Sequence, residues 1–297
     1  MIAAIIVLVL LVLLLIGLIG LTVLTHRNVH PRGDPARLAF PRLKSTLHLF
    51  LCGVLFNVVT LIVGISYTAS LDGTYYPGSR VVSHLSVTGS LLISLASCAF
   101  IVTTADLAAG VRRAALGSSV NPRKFLLTIN ILTSIAAVFW FAYFVVRQVQ
   151  YTRASRGEDY DSDFAIVSFV FAVLGLAGFG LLLISAITVL VYAVRSRNAV
   201  RRKAAAGSAD DHLKTAKRIV AIASVNIVIF AWTIVAAFLI GFGVGYYVSI
   251  WNIIDVVISQ FGMFALLVVI YFIGKAEKGG LWTVDLEGLP LSVERSV

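Results

Sequence analysis

Seven runs of apolar residues, each long enough to cross a bilayer as a helix, dominate this sequence. A hydrocarbon core of about 30 Å needs roughly 20 such residues at about 1.5 Å of rise each. The runs cover Ile2 to Thr25, Thr46 to Ser70, Val81 to Val111, Phe125 to Val146, Phe164 to Val194, Ile219 to Phe242 and Ser249 to Ile273. In lipid every backbone polar group must be satisfied internally, which leaves helices or closed barrels. Runs this long and continuous fit helices. The expected fold class is therefore an all-α integral membrane protein. A seven-transmembrane helix bundle should fill 1–275, with a short tail over 276–297. The third and fifth runs exceed an upright span and should tilt, or project into water at one end. The first run has no basic stretch before it and outlasts a signal peptide's apolar core, so it reads as a retained span.

Composition excludes the soluble alternative. Hydrophobic residues make up 59% of the chain and charged residues 13%, against about 25% charged in a soluble domain. Cys52 and Cys98 both stand in apolar runs and suggest neither a loop disulfide nor a metal site. No Asn begins an Asn-x-Ser/Thr acceptor.

The net charge of +10 would suggest nucleic acid in a soluble chain. Here its distribution speaks to topology instead, and no nucleic-acid partner is expected. Arg27, Arg32, Arg37, Arg42 and Lys44 follow the first span. Arg112, Arg113, Arg123 and Lys124 follow the third. Eight more cations lie between Arg195 and Arg218, and three in the tail, so that only four of the 24 basic residues fall on the other side. Asp72, Glu158, Asp159, Asp161 and Asp163 also lie on that other side. The positive-inside rule thus predicts the N-terminus outside and the C-terminus in the cytoplasm. The lipid bilayer itself is one partner, and clustered cations should bind anionic lipids at the cytoplasmic face. The 195–218 loop also offers a surface to a cytoplasmic protein partner. The expected location is a multi-pass protein of the plasma membrane or an endomembrane.

All six prolines lie outside the spans, so proline kinks are not expected. Gly17, Gly20, Gly175, Gly178 and Gly180 lie within spans and predict close helix packing. Polar residues form stripes. Ser83, Ser86, Ser90, Ser94 and Ser97 share one face of span three. Asn252, Asp255, Ser259 and Gly262 share one face of span seven. Lipid-facing polar groups are costly, so these stripes should face one another, either as interhelical hydrogen bonds or as a small polar cavity in the outer half.

Asp255 is the first functional candidate, because a carboxylate inside a span must be paired, hydrated or protonated. Its expected partners are Asn252, the span-three serines Ser90 and Ser94, or His84; Ser259 joins the same candidate site. Asp106 lies near the inner end of span three. A basic residue at the cytoplasmic interface is its expected partner, with Arg112 and Arg113 close in sequence. Arg201, Arg202 and Lys203 complete the cytoplasmic interface set and should prolong span five as a helix.

Seven spans with this orientation resemble the topology of G-protein-coupled receptors over the whole chain. The likeness implies a receptor-like protein that senses a ligand within the bundle. It stops at topology. Span seven has no Asn-Pro-x-x-Tyr, span six has no proline, and Ala105-Asp106-Leu107-Ala108 stands where Asp-Arg-Tyr would end span three. Span seven also lacks a lysine for retinal. A small-solute or lipid transporter and a non-catalytic accessory or scaffold protein are the alternatives. No enzymatic motif, cofactor site or metal site is evident, so an enzyme is not expected.

Overall fold

In a computed structural model the chain is a polytopic membrane protein built from helices. The structure describes residues 2–29, 35–69, 78–116, 121–154, 164–204, 210–241 and 248–276. The predicted tail and the acidic residues Asp72, Glu158, Asp159, Asp161 and Asp163 fall outside what it describes. The elements are α1 (Ile2–Asn28), a 3-10 turn (Pro35–Arg37), α2 (Ala39–Ala69), α3 (Gly78–Leu116), α4 (Arg123–Ala154), α5 (Phe164–Ala204) and α6 (Asp210–Gly241). The seventh span is composite: α7 (Val248–Asp255), a π-helical segment (Val256–Phe261) and α8 (Gly262–Lys275). Among the described residues, seven helical spans are long and apolar enough to cross a membrane.

The helices exceed the apolar runs mainly at the end where basic residues gather, called the basic end below. Thus α2 starts at Ala39 rather than Thr46, and α6 at Asp210 rather than Ile219. Water-facing cations tolerate helix well, and Pro41 falls in the first turn of α2, where a missing N–H costs nothing. The 195–218 connection is accordingly mostly helical. Its first ten residues extend α5 to Ala204, as Arg201, Arg202 and Lys203 suggested. Asn121 accepts a hydrogen bond from the Arg123 amide at 3.0 Å and so caps the start of α4.

Consecutive spans pack side by side, and α1 closes the ring against α7 and α8. The α3 helix leans inside the ring and also reaches α5, α6 and the 3-10 turn. Burial follows from that placement. Nearly every residue of α3 from Phe100 to Val111 is buried on all sides, including Thr103, Thr104 and Asp106. The peripheral α1 is the opposite case. It buries one stripe, Leu11, Leu14, Leu18, Leu21 and Thr25, while Ile5, Val9, Leu13, Ile16 and Val23 face outward. Spacings of three and four keep that stripe on one seam, as in coiled coils.

The tightest pairing joins α2 and α3. A Cβ on Gly53 would lie 2.7 Å from the Ile93 side chain and 3.0 Å from its amide nitrogen. One on Gly89 would collide with Asn57. Small residues let the two backbones approach where side chains would hold them apart. The Arg42–Asp106 and Thr46–Thr103 links continue this antiparallel pairing towards the basic end.

Candidate functional site

The polar residues singled out from sequence separate into two groups. The first surrounds Asp255. It lies seven residues into span seven, about 10 Å down at 1.5 Å per residue. The hydroxyl of Ser259 donates to the Asp255 carboxylate at 2.8 Å. Ser259 also meets the hydroxyl of Thr233 on α6 at 3.4 Å. The Trp232 indole N–H comes close to the Asp255 carboxylate without completing a hydrogen bond. Trp251, one turn before Asp255, has its ring 6.1 Å from that of Trp232. No lysine or arginine acts on this carboxylate among the described residues.

The helix changes its winding at this point. The six residues after Asp255 form the π segment, which widens the turn and aims side chains away from the α-helical register. Such segments recur at functional sites. No proline causes it. Gly262 follows immediately, and a Cβ there would lie 3.0 Å from Ile229 of α6. Span seven therefore changes its winding where it packs closely on α6, with Asp255 at the start of the change.

The structure does not bring the other expected partners to Asp255. Asn252 is exposed. Ser90 is exposed and donates to the Ser86 carbonyl at 2.9 Å, and Ser94 donates to Ser90 in the same way. Ser97 bonds Ile93. These hydroxyls are satisfied by their own helix, a pattern open to any serine in a span because the i−4 carbonyl is always in reach. The expectation that the span-three stripe hydrogen-bonds across to span seven is thus replaced by local back-bonding. His84 pairs instead with Gln148 of α4, through its Nδ1 and the Gln148 side-chain oxygen. It also meets Tyr151 edge to face.

The second group holds the basic end together. Asp106, with its side chain 4% exposed, accepts a 2.7 Å ion pair from Arg42 of α2. The expected basic partner is found, but it comes from a neighbouring helix rather than from Arg112 or Arg113. Arg112 instead lies over the Tyr192 ring of α5, and Arg113 adds a favourable charge near Asp106. Lys203 donates to the Ala115 carbonyl at 2.6 Å. That contact places a cation on the carbonyl end of α3, where the helix dipole favours it. Arg201 and Arg202 are exposed.

Sequence reading missed the plug beneath span seven. Arg37 is 1% exposed and donates to the Gly274 carbonyl at 2.7 Å. Its guanidinium sits 4.5 Å from the centre of the Phe40 ring. Gly274 has no room for a side chain: a Cβ would lie 2.6 Å from Phe40 and 3.0 Å from Val29. Asn28 donates to the Tyr271 hydroxyl at 3.0 Å. The end of α1 and the 3-10 turn before α2 are therefore both bonded to the last turns of α8. Sequence supplied one cue, a glycine just before the terminal Lys275, but nothing that matched it to Arg37.

Comparisons with protein-family models, with curated proteins and with solved structures found no match to this chain.

Proposed function

We propose that this chain is a receptor-like, non-catalytic seven-helix membrane protein. In this reading the basic end lies in the cytoplasm and the N-terminus outside, as the charge distribution favours. A small polar ligand engages the Asp255 group from the outer half, and the basic end reports the change. One observation carries the reading: Asp255 stands at the junction of α7 and the π segment and is linked through Ser259 to Thr233 on α6. A carboxylate held by a single hydroxyl can exchange that donor for a ligand's. Doing so would release the Ser259–Thr233 link and alter how span seven bears on α6. Ionisable residues inside spans are functional candidates for this reason. The exposed Arg201 and Arg202 suit anionic lipids and offer a surface to a cytoplasmic protein partner.

The test is a distance measurement across the basic end. Spin labels at Ser45→Cys on α2 and Lys217→Cys on α6, in a Cys52→Ser background, report that span by pulsed electron resonance. Asp255→Asn should shift or broaden the distance distribution. An unchanged distribution would remove the coupling on which the receptor reading stands. In proteoliposomes, solute uptake that disappears with Asp255→Asn would favour a transporter instead.

A further inference from the structure

On the outer wall of the bundle a groove of about 380 Å³ runs between α6 and α8, lined by Arg218, Val269 and Phe272. Its composition is divided along its length. Val269 and Phe272 make an apolar wall, and Phe272 is 57% exposed although no water-soluble surface is expected at that depth. Arg218 closes the groove at the basic end, where the apolar part of α6 begins. Arg218 is exposed and makes no hydrogen bond or ion pair with any described residue. Lys275 is exposed one turn beyond Phe272 on α8. Lys214 stands one turn before Arg218 on α6, next to Asp211 at 3.5 Å.

We infer that this groove is a binding site for one phospholipid of net negative charge. The guanidinium of Arg218 would take the phosphate, since its planar donors match phosphate oxygens in pairs. The added charge of Lys275 would favour an anionic headgroup over a zwitterionic one. An acyl chain would lie on Val269 and Phe272. The arrangement follows the bilayer's own order, with phosphate at the interface and hydrocarbon below it. Basic pockets between spans recognise lipid headgroups in this way. The site is on the outside of the ring, away from Asp255, and is independent of the receptor reading.

Native mass spectrometry of the purified full chain tests the inference, with phosphatidylglycerol and phosphatidylcholine of identical chains as probes. The first phosphatidylglycerol should bind at least about fivefold tighter than phosphatidylcholine, the factor expected for one well-placed cation. Lys275→Gln should abolish that preference and leave phosphatidylcholine binding unchanged, whereas Arg218→Gln, which removes the phosphate's partner, should weaken both lipids. Arg218→Lys should restore most of that lost affinity, which also shows that the fold survives at this position. Val269→Trp, which fills the groove, should weaken both lipids. Free glycerol 3-phosphate at the same concentration should not displace the lipid. Three outcomes would overturn the proposal: a phosphatidylglycerol preference that survives Lys275→Gln, lipid binding that is unchanged by Arg218→Gln, or full displacement by glycerol 3-phosphate.

Discussion

The two halves of the bundle are held by different means. In the basic half, polar side chains cross between elements: Arg42 to Asp106, Thr46 to Thr103, Lys203 to Ala115, Arg37 to Gly274 and Asn28 to Tyr271. In the far half several turn back on their own helix, as Thr60, Thr88, Ser90 and Ser94 do. Cross-links there include His84 with Gln148 and the Ser259–Thr233 contact beside Asp255. The α3 helix feels both regimes, being enclosed from Phe100 to Val111 and partly open from Val81 to Leu95. A bundle cross-linked at one end and loosely joined at the other has its freedom at the loose end. That is where Asp255 and the π segment lie.

The largest effect that would break this contrast is steric. Gly274→Leu should lower stability by about 3 kcal/mol, because Phe40 and Val29 leave no space for a side chain. Gly20→Leu on α1, where nothing lies within 4 Å, should change almost nothing. Thermal melts of the two variants in one detergent make the comparison. Next comes the ion pair. Arg42→Ala leaves the buried Asp106 uncompensated and should cost about 2–3 kcal/mol. Asp106→Asn should cost less, because the remaining Arg42 is 44% exposed and can reach water. A reversed order in chemical unfolding would show that Asp106 is not the enclosed partner.

Arg37→Met keeps the stem but loses the bond to Gly274, and should cost about 1.5–2 kcal/mol. Its distinct signature is faster proteolysis of the α1–α2 connection. In the far half, Gln148→Ala should cost about 1 kcal/mol through its loss of His84. Ser94→Ala should stay within about 0.5 kcal/mol, since its hydroxyl bonds only its own helix. A large loss from Ser94→Ala would mean that the span-three stripe crosses to another helix after all.

How much of this was legible depends on the range of the interaction. The spans were readable because apolar length is a local property and the bilayer sets the scale. The helical extension through Lys203 was readable because charge and helix propensity are local too. The need of Asp106 for a cation was also readable. That the cation is Arg42 was not, because it depends on the register between α2 and α3, which Gly53 and Gly89 set by close approach. The stripe argument for Asp255 succeeded for Ser259, four residues along the same face. It failed for Ser90 and Ser94, because any serine hydroxyl in a helix has a backbone carbonyl within reach. The π segment left no sequence mark of its own: no proline stands there, and the close approach of Gly262 to Ile229 beside it is a contact between helices. The plug formed by Arg37 was invisible for the same reason.

Hydrogen–deuterium exchange in lipid nanodiscs measures the contrast directly, since local opening follows the density of cross-links and burial. Amides of 100–111 and 263–274 should exchange at least about tenfold slower than those of 81–95 and 250–261. Asp255→Asn should speed exchange further in 250–261 and leave 263–274 unchanged. Uniform protection along α3, or an Asp255→Asn effect confined to the basic end, would contradict the account.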